Sequence, residues 1–204
     1  MNHAELRPEH HIIADWISEG ARVLDLGCGD GAFLAALQQE KGVTGYGIEI
    51  DPDNIVACID RGVNVIHSNL DQGLSDFEDD YFDHVIMTQT VQAMRFPHLV
   101  IEEILRIGRE GIITCPNMGY WKCRLQFVLG QMPITRHLPN TWYDTPNIHF
   151  CTVKDFEALC EKQHIRILQR TVQVAPGFKK RTSGWLNRAW PNLFAAYAIY
   201  HVTR

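Results

Sequence analysis

Val23-Leu24-Asp25-Leu26-Gly27-Cys28-Gly29-Asp30-Gly31-Ala32-Phe33 reads as a buried strand that runs into a glycine turn and out into an apolar helix. Val23, Leu24 and Leu26 suit a strand covered on both faces, and the three glycines let the backbone turn sharply and approach a ligand with no Cβ in the way. Phe33, Leu34 and Leu37 continue at helical spacing. By pattern the loop suits two ligands: Gly27-x-Gly29-x-x-Ala32 satisfies a loose dinucleotide fingerprint, and Gly27-x-Gly29-x-Gly31 matches the loop of S-adenosylmethionine (SAM) binding proteins. Charge separates the two. A dinucleotide lays its pyrophosphate on loop amides and a helix N-terminus. Asp25 and Asp30 bracket this loop, would repel a pyrophosphate, and would attract the ammonium and sulfonium of SAM.

A second strand, in Gly45-Tyr46-Gly47-Ile48-Glu49-Ile50-Asp51-Pro52, ends in a carboxylate 22 residues after Gly27. Glu49 there suits the hydroxyls of a ribose, a device that nucleotide and SAM folds share. At 204 residues the chain suits one domain over 1–204, with an insertion at about 117–150. Hydrophobic content of 46% and charged content of 21% are those of a soluble globular protein. No apolar run approaches the ~18 residues of a spanning helix, and the first residues lack the pattern of a signal peptide, so a cytoplasmic protein is expected.

Six cysteines without a Cys-x-x-Cys pair point to reduced thiols. His149, Cys151, Cys160 and His164 lack the short cysteine knuckle of a zinc site, and Cys160 and His164 read instead as sharing one helix face or its end. No metal is expected. Net charge of −5 speaks against nucleic-acid binding. The charge is lopsided, since no Asp or Glu follows Glu161 while Arg166, Arg170, Lys179, Lys180, Arg181, Arg188 and Arg204 do. This is a solvated basic face or a surface for an acidic partner.

Helices are expected from His10 to Ile17, with an apolar face of Ile12, Ile13, Trp16 and Ile17, and after Asp51, whose side chain would cap a helix through Ile55, Val56 and Ile59 to Gly62. Val63 to His67 is a third strand. Asn69 or Asp71, in the loop after it, would meet the adenine amino group. Asp83 to Met87 is a fourth strand, Pro97 to Ile107 a helix, and Gly111 to Cys115 a fifth strand. Alternating strands and helices imply a mainly parallel sheet, and ligands bind beyond its carboxyl ends. Gly27, Glu49, Asp71, Thr88 and Pro116 should therefore converge on one crevice.

Residues 117–150 break that alternation and leave from the end of strand five, over the crevice mouth. They read as a lid, a second-ligand pocket, a docking surface, or a structural cover anchored by Trp121 and Trp142. Thr152-x-x-Asp155 opens the next helix as a capping box, with Phe156 and Leu159 inward. Ile165 to Val174 and Leu193 to Val202, separated by Pro176-Gly177 and Gly184-Trp185-Leu186, then suggest an antiparallel hairpin closing the sheet edge.

The segments VLDLGCGDGAFL (23–34), GYGIEID (45–51), TQTVQAM (88–94) and above all LPNTWYDTPNIHFCTVKDFEALC (138–160) resemble the methionine biosynthesis protein MetW family. The likeness runs from about Val23 to the C-terminus, and Trp142-Tyr143-Asp144-Thr145-Pro146-Asn147 is its most distinctive part. The resemblance implies a Rossmann-like class I SAM methyltransferase fold, with a mainly parallel seven-stranded sheet and a C-terminal antiparallel hairpin. It also implies action beside homoserine O-acyltransferase (MetX). Carried over by position, Asp25, Gly27, Gly29, Glu49 and Asp71 take the contacts to S-adenosyl-L-methionine or S-adenosyl-L-homocysteine.

Two functions stay open: a SAM-binding protein that supports or regulates the acyltransferase, and an active SAM-dependent methyltransferase on a small-molecule acceptor. The family pattern supplies no catalytic base. Tyr120, Tyr143, Asp144 and His149 are the candidates if one exists, although methyl transfer can proceed by alignment alone. A hydrolase is excluded for want of a nucleophile motif, and Cys28 reads as a small loop residue.

Overall fold

A computed structural model of the chain describes residues 6–135, 137–174 and 190–204. Residues Lys179, Lys180, Arg181 and Arg188 of the basic tail, and the two glycine-containing turns expected before the last strand, lie outside them. The first helix, α1 (Pro8–Trp16), opens on its proline. There follow β1 (Arg22–Leu26), α2 (Ala32–Lys41), β2 (Thr44–Glu49), α3 (Pro52–Asp60), β3 (Val65–His67) and β4 (Phe82–Met87). Next come α4 (Pro97–Ile107), β5 (Gly108–Pro116), α5 (Trp121–Val128), α6 (Val153–Lys162), β6 (Arg166–Val174), α7 (Pro191–Phe194) and β7 (Ala195–Thr203).

The seven strands form one sheet in the order β3-β2-β1-β4-β5-β7-β6. The pairs among β1 to β5 are parallel, and β7 runs antiparallel to both β5 and β6. This is the expected mainly parallel sheet with antiparallel strands at its end. The last strand slots between β5 and β6, so β6 forms the edge.

Alternating side chains divide the core between the two faces. Leu24, Val85, Met87, Ile113 and Tyr200 pack toward α4 and α6. Val23, Ile86, Ile112 and Ile199 pack toward α1, α2 and α5. Val23, Leu24 and Leu26 are each fully buried, at ~1.5–3 kcal/mol apiece, which accounts for the continuous apolar run of β1.

Local chemistry sets several boundaries. Asp51 accepts a hydrogen bond from the Asp53 amide, and Pro52 starts α3. The Thr152–Asp155 capping box is present, with Phe156 buried and Leu159 partly buried. Cys58 is the buried residue of α3, whereas Val56 and Ile59 face solvent. Three expectations need correction. β5 starts at Gly108, three residues earlier than expected, since the pairings Phe82↔Gly108 and His84↔Glu110 extend its ladder. Leu193 belongs to α7 rather than to the last strand, because Pro191 sets up a helical turn. Trp142 is 71% exposed and anchors no core, whereas Trp121 is partly buried against it.

Where β5 leaves the sheet, Asn117 is buried and uses its whole amide. Its Nδ2 donates to the carbonyls of Ala195 and Asn192, and its Oδ1 accepts from the amides of Gly119 and Val153. One side chain thus fixes the start of the 117–150 segment against α6, α7 and β7. That segment returns across the loop after β4, where the amides of Ile148 and His149 both donate to the Gln92 carbonyl.

Candidate functional site

The glycine loop crosses the carboxyl end of β1 with Gly27, Gly29 and Gly31 all in the left-handed region, at φ of 75°, 57° and 73°. Four of its amides are taken up by the protein itself. Gly27 and Cys28 donate to the Ile48 carbonyl, Gly31 donates to the Cys28 carbonyl, and Gly29 donates to Glu49 Oε2 at 2.8 Å. Glu49, 8% exposed at the end of β2, also accepts from the amides of Ile50 and Asp51 through Oε1. The acid at the end of the second strand therefore braces the glycine loop directly. A Cβ on Gly27 would meet Thr90 Oγ1 at 2.7 Å, whereas a Cβ on Gly29 would point into open space.

Asp25 lies beside this loop, 2% exposed, and its Oδ1 has no hydrogen-bond partner. Burial pushes its carboxyl up to about 7, partly offset by the Arg7 guanidinium and reinforced by Glu49. Asp30 behaves differently. It is exposed, it pairs with Arg61 at 2.7 Å, and it accepts from the Ala32 amide, so its charge is neutralised on the far side of the loop. Of the two acids taken to bracket the loop, only Asp25 presents a charge to the interior. Asp71 is exposed, its Oδ1 accepts from the Arg95 amide, and its own amide donates to Asn69 Oδ1.

The start of α1 adds a group of polar residues that the sequence reading treated only as an apolar helix. Glu9, 2% exposed, accepts from Gln89 Nε2 at 2.8 Å and from the Tyr197 hydroxyl at 3.2 Å. Arg7 reaches Thr88 Oγ1 and His10, and His10 stacks on Phe33 with ring centroids 4.3 Å apart. Burial, with help from Arg7, lowers His10 to about 3, so it is neutral at physiological pH. His137 of the 117–150 segment lies against the Tyr197 ring, centroids 4.4 Å apart. Glu9 and His10, two polar residues buried near the N-terminus, and their exposed partner Arg7 were the available signal.

The base candidates do not gather at one point. Tyr120 is buried with its phenol raised by that burial, Tyr143 and Asp144 are exposed, and His149 Nε2 lies 3.1 Å from the Arg95 carbonyl. Cys28 is buried, its sulfur 3.7 Å from that of Cys58, and burial pushes its thiol far up, so it is no nucleophile. Cys160 is buried inside α6 and His164 lies just past its end, as expected for that pair. The crevice therefore offers a buried carboxylate lone pair suited to a cation, while the amides of Gly27, Cys28, Gly29 and Gly31 are committed elsewhere and unavailable to an anion.

Residues 7–202 match a family model described as methionine biosynthesis protein MetW. The chain is 35% identical over 172 residues to the bifunctional methionine biosynthesis protein MetXA/MetW of Rhodopirellula baltica, a match covering 79% of this chain and 28% of that protein. The chain thus spans little more than a quarter of that relative's length. Among solved structures, an S-adenosylmethionine dependent methyltransferase from Mesorhizobium loti superposes with a TM-score of 0.68 at 15% identity, covering 97% of this chain and 96% of the other. A SAM-dependent methyltransferase from Thermotoga maritima, a possible histamine N-methyltransferase, gives 0.65 at 18% identity over 96% and 87%. The sheet is that of the class I SAM methyltransferases.

Proposed function

The chain belongs to the methionine biosynthesis protein MetW family, and from that premise we propose that it binds SAM or S-adenosylhomocysteine and supports a homoserine O-acyltransferase. The observation that carries the ligand is the occupied set of loop amides beside the unpartnered Asp25 Oδ1. A pyrophosphate would find no N–H from Gly27, Cys28, Gly29 or Gly31, whereas the ammonium of SAM would find a buried carboxylate. Gly29, with open space above its Cα, lets the ligand approach the backbone, and Glu49 is the acid for the ribose hydroxyls. Asp71 and Asn69 are the side chains for the adenine rim.

SAM is made from methionine, so a SAM-binding protein beside an early enzyme of the pathway can report end-product level. The fusion of a MetXA part with a MetW part in the Rhodopirellula protein supports physical association of the two activities. The 117–150 segment supplies exposed apolar groups for it, with Val128, Leu129, Trp142 and Tyr143 between 66% and 84% exposed. Among the described residues no helix is long and apolar enough to cross a membrane. A second reading, methyl transfer to a small acceptor, is favoured by Glu9, a buried carboxylate facing Gln89 and Tyr197 in the same crevice.

Titration calorimetry with SAM, S-adenosylhomocysteine and NAD tests the ligand. The adenosyl ligands are expected to bind and NAD is not; NAD binding tighter than SAM would sink the assignment. Glu49→Ala should weaken SAM by about 10- to 100-fold, through loss of charge-assisted hydrogen bonds of ~1.5–3 kcal/mol each. The same substitution leaves the amides of Gly29, Ile50 and Asp51 without their acceptor, so its melting temperature should also fall. An unchanged dissociation constant in a folded variant would show that Glu49 is not the ribose acid.

A further inference from the structure

We propose that His84, Glu110 and His201 form a divalent-metal site of the zinc class, at the end of the sheet away from the glycine loop. The three residues come from adjacent strands, β4, β5 and β7. His84 stands opposite Glu110, and His201 opposite Ile112, two residues further along β5. All three side chains therefore project from the same face of the sheet. Their donor atoms lie within 4.8 Å of one another. Glu110 Oε2 is 2.7 Å from His201 Nε2 and 3.3 Å from His84 Nδ1. Zinc bonds of ~2.0–2.1 Å in tetrahedral geometry hold donors ~3.3 Å apart, so small side-chain rotations complete the set.

A second observation points to a ligand. His84 is 4% exposed, and its Nδ1 has no hydrogen-bond partner although it faces the Glu110 carboxylate at close range. A buried nitrogen aimed into a carboxylate-bearing cluster is one bond short, and a cation between them would satisfy it. The His201 ring is held by stacking on Trp16, centroids 5.5 Å apart and planes within 10°. The Lys41 ammonium, which also bears on His84, is bound to the carbonyls of Ala14 and Ile17.

Two imidazoles and a carboxylate are a borderline donor set that favours zinc over calcium or magnesium, and three protein ligands leave a position for water. The cluster sits toward the amino ends of β4 and β5, while Asp25 and Glu49 lie at carboxyl ends. Bound there, zinc would tie the antiparallel β7 to the parallel part of the sheet, independently of SAM.

The test is calorimetric titration of Zn²⁺ into the chelator-treated full chain at pH 7.5, with melting curves and Co²⁺ absorption spectra alongside. The expected result is one saturable equivalent, a raised melting temperature, and a tetrahedral Co²⁺ spectrum. Glu110→Gln and His201→Gln should each weaken zinc about 10- to 100-fold, the loss usual for disturbing a ligand set, and leave SAM affinity unchanged. If Glu110→Gln does not fold, the partly exposed His201→Gln and the wild-type Co²⁺ spectrum still decide. No saturable equivalent, or equal zinc affinity in wild type and variants, overturns the proposal, and neither result depends on whether SAM binds.

Discussion

Asp25→Asn is expected to stabilise the free protein at pH 8 while weakening SAM binding about 100-fold. Both effects have one cause. Burial raises the Asp25 carboxyl from 3.8 to about 7 in the folded chain. Between about pH 4 and pH 7 the native state therefore keeps a proton that the unfolded chain has lost, so stability falls as pH rises through that window. Above it, the ionised buried carboxylate costs up to about 4 kcal/mol, at ~1.4 kcal/mol for each tenfold change in proton affinity. Asparagine carries no such cost. The melting temperatures of variant and wild type should coincide near pH 4 and diverge up to pH 8, with the variant higher.

Binding follows the opposite sense, because a cationic ligand selects the carboxylate form. Below pH 7, wild-type SAM affinity should weaken by nearly tenfold per pH unit, and the variant should show no such slope. The ammonium of the ligand keeps its charge until about pH 7.7, so the window from pH 5.5 to 7.5 isolates the Asp25 contribution. A variant with unchanged melting temperature and unchanged SAM affinity would remove Asp25 from the site.

Trp142→Ala combined with Tyr143→Ala should weaken the complex with the acyltransferase by about 30- to 1000-fold, equivalent to ~2–4 kcal/mol for paired aromatic anchors. The two rings meet edge to face with centroids 5.6 Å apart, and at 71% and 74% exposure they carry little of this chain's own packing. The double variant should therefore keep its melting temperature, and its SAM affinity should stay within a few-fold. Surface plasmon resonance with the immobilised acyltransferase measures the first, and calorimetry the second. Normal complex formation with lost turnover of a methyl acceptor would instead make the segment a substrate pocket.

The sheet was legible because its signals are local. The run Val23 to Leu26, the glycines after it and the spacing of Phe33, Leu34 and Leu37 lie within fifteen residues, and each is enforced by burial or by φ. α4 was read to the residue, with proline at its start and five buried apolar residues along it. The misreadings arose where neighbours in space decide. Trp142 has the size of a core anchor, yet it is 71% exposed and meets the Tyr143 ring edge to face. Arg109 and Glu110 look like the end of a loop, yet they pair with Asp83 and with His84 and His201.

At the candidate site, Asp25 and Glu49 were readable as acids at strand ends, but not that Glu49 would brace the loop amides or that Arg61 would neutralise Asp30. Glu9 and Tyr197, 188 residues apart, have no common sequence signal. The basic tail was similarly opaque: Arg170 is paired locally with Glu157 at 2.6 Å and is no free charge.

We propose that SAM occupancy and acyltransferase binding are coupled through this chain. It is tested by the dissociation constant of SAM for the free protein and for the protein saturated with homoserine O-acyltransferase. The two constants should differ by at least about fivefold, and the affinity for the acyltransferase, measured with and without saturating SAM, should change by the same factor, as linkage requires. Equal SAM constants in a complex that demonstrably forms would contradict the account.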